Sequence, residues 1–340
     1  MSLLPFAARG LSAWLLAAAV AIATPAQAPI PQLAQPLTEA NLALQAGEAD
    51  KALHLLESVP SLDPSTTAQA YNLKCRVLLT LEQWDAAASE CEQAVRLDGQ
   101  NSDDHLWLGR ALGEKADRAS FLSAYSLAKR VRAEFEESVR LNPRNAEALA
   151  DLGSFYRQAP AVVGGGVDKA QAIAAQLDEV DPARAHELRG QIAEQRKDYA
   201  TAEQEFKQAV AAGAHPALQW TTLAGFYSRR KRFDEMESAL RSVLAATAHD
   251  KRAAVALYDG AGVLTESNRD PALAAKMLDD YLAASAKTEE APAFIAHIRL
   301  ARLKQQLGDP AAANRERAAA LALAHDYKPA RQATPQEARN

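Results

Sequence analysis

The sequence predicts an all-α protein, a solenoid of about eight stacked helical hairpins. Three observations carry that prediction: a repeat of about 34 residues, small side chains recurring at two fixed places in it, and a composition rich in helix formers. Aromatic residues make up only 6%, and 15 Gly and 16 Pro in 340 residues are few, which disfavours an all-β chain. With 48% hydrophobic and 24% charged residues, most of the chain can bury a core. A net charge of −5 speaks against nucleic acid as a partner, because phosphate binding needs a basic footprint.

The first element stands apart. "MSLLPFAARGLSAWLLAAAVAIATPAQA" carries Arg9, an apolar run from Leu11 to Ala23, and then small residues. That layout is expected of a signal peptide over residues 1–28, which implies a periplasmic or secreted protein. Ala26-Gln27-Ala28 resembles a cleavage box, and cleavage after Ala23 or Ala26 also fits. A membrane span wants about 20 apolar residues, so no stable insertion is expected once the signal is removed. No cysteine near the site offers a lipid anchor.

The repeats follow. Their clearest copy is 217–250, "ALQWTTLAGFYSRRKRFDEMESALRSVLAATAHD". Taking Ala217 as position 1, equivalent starts fall at Leu33, Ala68, Ser102, Ala146, Ala183, Val255 and Phe294. Position 8 is then Ala40, Cys75, Gly109, Gly153, Gly190, Ala224, Gly262 and Ala301. Position 20 is Ala in six of the eight, with Val131 and Met236 in the others. Small residues there let helix A (positions 1–14) and helix B (18–31) approach, and large ones at 4, 11, 24 and 28 fill the space beside them. A single hairpin cannot bury its apolar face, so neighbours must stack. Pro64, Gly99, Pro143 and Pro182 fall at position 32 and are expected to stop helix B.

The stretch from Trp220 to Tyr227, with Phe233, Met236 and Leu240 behind it, resembles the tetratricopeptide repeat (TPR). So do "LWLG" (106–109) with "EFEESVRLNPRN" (134–145), and "WDAAASECEQAVRLDGQN" (84–101). The resemblance covers residues 33–326 and implies a right-handed superhelix with a concave groove that binds proteins. In that family, helix A positions 2, 5, 9, 12 and 13 line the groove, which implies Arg76, Arg110, Arg157, Gln191, Glu194, Arg229 and Arg302 as partner-binding residues. Several arginines on one face suit an acidic partner, since guanidinium pairs bidentately with carboxylate. They are equally compatible with an ordinary soluble surface. The lysine/asparagine clamp of chaperone-tail-binding TPRs is not reproduced, because position 5 holds Asn72, Leu106, Ala150, Glu187 and Thr221.

Two repeats depart from the pattern. The starts at Ser102 and Ala146 lie about ten positions farther apart than a TPR-length repeat allows, and the surplus lies in "EKADRASFLSAYSLAKRV". Longer helices in repeat 3 are expected there, with Phe121, Leu122 and Tyr125 either forming an apolar lip for a partner or packing on repeat 4. Repeat 4 contains "QAPAVVGGGVDKA", whose glycines lack the GxxxxGK[ST] spacing of a phosphate cradle and read as an inter-helix loop. Together these hairpins (102–190) resemble, weakly, the TPR-built soluble component of tripartite solute transporters, which implies a small-molecule or lipid pocket as the alternative function. The tail, 327–340, shows no apolar periodicity and is expected to be disordered.

Cys75 and Cys91 occupy positions 8 and 24 of repeat 2, at one height on facing helices. A disulfide is geometrically allowed, and two buried thiols fit as well. His105, His186 and His297 all take position 4, a packing site, in separate repeats. No HxxxH, CxxC or GxSxG occurs, so neither metal, cofactor nor catalysis is expected. "SRRKR" (228–232) reads as a solvated inter-helix turn.

Overall fold

Helix starts along the chain follow from a small set of residues. Asp63-Pro64, Asp181-Pro182, Asp270-Pro271 and Asp309-Pro310 each open a helix: the carboxylate accepts a backbone N–H one turn on, and the proline occupies the first turn, where no donor is needed. Asn101 and Asn145 cap two others in the same way. Pro64 and Pro182 therefore begin the following helix as well as ending the previous repeat.

The computed structural model describes residues 34–59, 63–250 and 253–332. The expected signal peptide lies outside them. Among the described residues there are no strands, and the helices pair in chain order. The hairpins are α1 (Ala34–Ala46) with α2 (Ala49–Glu57), α3 (Pro64–Thr80) with α4 (Trp84–Leu97), and α5 (Ser102–Ala116) with α6 (Phe121–Leu141). Next come α7 (Ala146–Gln158) with α8 (Val167–Leu177), α9 (Pro182–Gln195) with α10 (Tyr199–Ala212), and α11 (Ala217–Arg229) with α12 (Phe233–His249). The last are α13 (Val255–Glu266) with α14 (Pro271–Ala283) and α15 (Ala293–Gln306) with α16 (Pro310–Leu323), followed by the short α17 (Lys328–Gln332). This is an all-α solenoid of stacked helical hairpins.

Close approach within hairpins, and for Gly153 also to the next one, is made where small residues recur. A Cβ on Gly190 would stand 2.8 Å from the Phe206 ring, one on Gly109 would meet the Phe135 ring, and one on Gly153 would meet Leu188 and Ile173. In the second hairpin the place is taken by Cys75, which forms a disulfide with Cys91 at a Cα–Cα distance of 5.3 Å.

Gly262 is the exception. A Cβ there would meet only Arg299, at 3.5 Å, while neighbouring Ala261 is buried at 1% exposure. The reason is a turn one residue longer. Gly47, Glu82, Lys197, Lys231 and Gly308 all stand at position 15 with positive φ, and Asn268 joins them only if helix A of repeat 7 starts at Ala254. Ala261 is then position 8, and Gly262 moves onto the channel-facing side. Counting back from helix B shifts the register by one.

The solenoid closes on itself. One apolar core joins Leu37, Ala40 and Leu44 of α1 to Val77 of α3, to Phe294 and Ile298 of α15, and to Tyr327. Hydrogen bonds seal the same junction: the His325 amide donates to Asp50 at 2.8 Å, and the Tyr327 hydroxyl to Glu82 at 2.9 Å. Residues 327–332 thus contradict the expected disordered tail. Tyr327 stacks edge-on against Phe294, with ring centroids 4.9 Å apart, and Ala330 is buried, so two well-placed apolar residues suffice to dock a short helix that has no apolar period. Residues 333–340 lie outside the described part.

The surplus in repeat 3 extends α6 outward. Phe121 and Leu122 are 85% and 80% exposed and so do not pack on repeat 4, while Tyr125, at 36%, is partly covered, with Lys129 Nζ 4.5 Å from its ring. α6 has 21 residues against 13 in α7, about 12 Å more at 1.5 Å per residue, and nothing of equal length stands beside its first turns. Further along, Val131 and Phe135 turn into the core.

Candidate binding channel

Helix A of successive hairpins faces the inside of the closed solenoid, so its polar positions line a channel. Three cavities of about 710, 680 and 340 Å³ that share lining residues lie along it. Arg76 and Trp107 belong to the first and third, Arg184 to the first and second, and Gln191 and Arg229 to the second.

The centre is built on α3 and α5. Arg76 and Arg110 place their guanidinium carbons 5.0 and 4.5 Å from the Trp107 ring centroid, a cation–π arrangement. Arg76 holds Glu289 bidentately: Nε donates to Oε2 at 2.8 Å, and Nη2 to Oε1. Gln45 Nε2 donates to the same carboxylate at 3.1 Å. Glu289 comes from the connection between α14 and α15, 213 residues from Arg76 in the chain.

Arg110 is differently engaged. Its Nε donates to Asp151 at 2.6 Å and its Nη2 to Glu147 at 3.0 Å, tying the third hairpin to the fourth. Burial opposes its charge, but the two carboxylates more than offset this and raise its pKa. Burial lifts Asp151 above the usual carboxylate range despite Arg110. Arg229 forms a two-point ion pair with Glu194, at 2.9 and 2.8 Å. Arg157 stands near both, its pKa lowered by burial, and its Nε has no hydrogen-bond partner. Arg302 lies exposed on α15.

The arginine-rich groove expected for an acidic partner is therefore largely neutralised by the chain's own carboxylates. Arg76, Arg110 and Arg229 are all paired internally. Counting one position per repeat finds the arginines and Glu194, the partner of Arg229, but not Glu147 and Asp151 on the adjacent helix, nor Glu289 in a connection. The signal for Glu289 is the spacing of starts 255 and 294, which leaves surplus residues containing "KTEEAP". Trp107 sits inside the quoted "LWLG", at a position where TPR packing rules are silent.

Other acids press on the channel. Asp104 is 2% exposed and accepts from Asn72 at 2.7 Å, while its second oxygen has no partner; burial pushes its pKa up to about 6. Asp259 lines the second cavity with its surface open to it, and its desolvated surroundings, with Glu290 close by, raise its pKa to about 6.

The three position-4 histidines share one arrangement. Nδ1 of His105, His186 and His297 donates to Glu134, Glu205 and Glu316 on the facing helix B, at 2.7, 2.7 and 2.6 Å. Among the described residues no group of three His, Cys, Asp or Glu converges to hold a metal ion. No described helix is long and apolar enough to cross a membrane.

A further cavity, about 560 Å³, opens between the third and fourth hairpins. Val131, Phe135, Phe155 and Val163 form its apolar wall, with Arg110 and Asp151 at its edge.

No protein-family model matches the chain, and no curated protein matches it. Among solved structures it is similar to a thermophilic TPR protein of Thermus thermophilus, at 18% identity over 57% of this chain and 97% of that one, with a TM-score of 0.48. It is also similar to MamA, at 20% identity over 49% of this chain and 89% of that one, with a TM-score of 0.39.

Proposed function

We propose that the protein is an exported, non-enzymatic scaffold that holds a segment of a protein partner inside its channel. The observation that carries this reading is that the channel already accommodates a non-helical piece of polypeptide, the turn carrying Glu289 and Glu290, with a carboxylate seated on Arg76. An extended peptide there finds what such a ligand requires: a guanidinium fork, an aromatic platform and amide side chains. Export rests on the leader-like stretch Met1–Ala28 and agrees with the disulfide, which persists in oxidising compartments. Nucleic acid fits poorly with a channel so rich in carboxylates.

A second reading has its own observation. The apolar wall between the third and fourth hairpins suits a small molecule or lipid better than a polar peptide.

A photo-crosslinking residue placed at Gln191, inside, and at Lys207, on the outer helix, separates the two. The scaffold reading expects protein adducts from Gln191 and none from Lys207. Equal adducts from both, or a small molecule co-purifying and lost on Phe155→Asp with no protein adducts, would contradict it.

A further inference from the structure

The connection between α14 and α15, Ala284–Pro292, has nine residues, whereas that between α4 and α5 has four. It does not bulge into solvent. Between them, Glu289 and Glu290 line all three channel cavities. Its ends are anchored: the Tyr281 hydroxyl donates to the Ala291 carbonyl, Lys287 Nζ donates to the Ala284 carbonyl at 2.7 Å, and Ala291 is fully buried.

The middle fits only in part. Glu289 is matched by Arg76 and Gln45. Glu290 makes no hydrogen bond among the described residues; burial and then Glu147 raise its pKa, and Arg110 and Arg184 nearby offset this only in part. The Thr288 hydroxyl is buried without a partner. One carboxylate is thus well bound while its neighbour has neither a hydrogen bond nor an ion pair among the described residues, which weakens the segment's hold without removing its anchor.

We infer that Ala284–Pro292 is an internal occupant of the channel, and that the site it covers, Arg76 against Trp107, receives a carboxylate from an acidic segment of a protein partner that displaces it. The inference rests on the reading of the channel as a peptide groove. A tethered ligand acts at an effective concentration on the order of millimolar, so the covered site is masked from weak acidic peptides and open to strong ones. The arginine fork and aromatic face then select a carboxylate-bearing extended chain.

The test uses a fluorescent synthetic peptide of the connection itself, Ala-Ser-Ala-Lys-Thr-Glu-Glu-Ala-Pro, and anisotropy with the full exported chain. A Glu289→Ala/Glu290→Ala variant should bind this peptide at least about tenfold more tightly than the wild type. Adding Arg76→Ala should abolish the gain, and a peptide with both glutamates changed to glutamine should show none. If the alanine variant does not fold, Glu289→Gln/Glu290→Gln keeps the shape while removing the charges, and the same gain is expected. A folded variant that binds no better than wild type would overturn the inference and leave the segment as a structural strut. That result would not touch the scaffold reading if Gln191 still formed protein adducts. Loss of those adducts alongside intact peptide binding would sink the scaffold reading instead.

Discussion

The two stretches that exceed the repeat length most go opposite ways. The surplus inside the third hairpin lengthens a helix, so it runs along the hairpin axis and carries Phe121 and Leu122 out to solvent. The surplus before the eighth hairpin is non-helical and pinned at both ends by helices, so it folds sideways into the channel and meets Arg76. A helical insertion has its direction set by the helix that it extends. A coil insertion has none, and goes where charge and hydrogen bonding draw it. The inward segment therefore joins a network whose members depend on each other, while the outward one leaves its neighbours undisturbed.

Substitutions should reflect this contrast. The largest effect is expected from Arg110→Glu, in the channel network beside the inward segment. It would leave Asp151 and Glu147 unpaired and add a third carboxylate, costing about 3–5 kcal/mol. Urea denaturation should show the loss directly; a change under about 1 kcal/mol would mean that the network is decorative.

Asp104→Asn should act in the other direction. The folded pKa of Asp104, about 6, lies above its unfolded value, so the native state holds that proton more tightly. The ionised, buried carboxylate therefore destabilises the fold fully above pH 6, and the penalty fades as pH falls toward 4. The amide keeps an acceptor for Asn72 without the charge. It should gain on the order of 1–3 kcal/mol at pH 7 and almost nothing at pH 4. Equal gains at both values would rule out the charge as the cause.

The smallest effect belongs to the outward stretch. Phe121→Ser with Leu122→Ser should leave stability within about 0.5 kcal/mol, because neither side chain leaves water on folding. A larger loss by thermal denaturation would show that the lip is packed after all.

Much of this architecture is legible in the residues. The period, the glycines at 109, 153 and 190, and the facing cysteines follow from how helices come close, and each is a local relation within one hairpin or, for Gly153 against Leu188, between one hairpin and the next. Gly262 is misplaced because a turn lengthened by one residue cannot be seen when the count runs back from helix B. The channel is far less legible. Arg76 is visible as a groove residue, but its partner stands 213 positions away, and only the closure of the solenoid brings them together. Likewise Tyr327 gives no periodic signal, since docking against Phe294 depends on the last repeat reaching the first.

The most direct test of that closure is a double-mutant cycle on Arg76 and Glu289, using Arg76→Ala and Glu289→Ala singly and together, read by urea denaturation at low salt. Closure through this pair predicts a coupling of at least about 1 kcal/mol, with the double variant more stable than the sum of the single losses implies. Additive losses would mean that the segment does not sit on Arg76, and that the solenoid is open there.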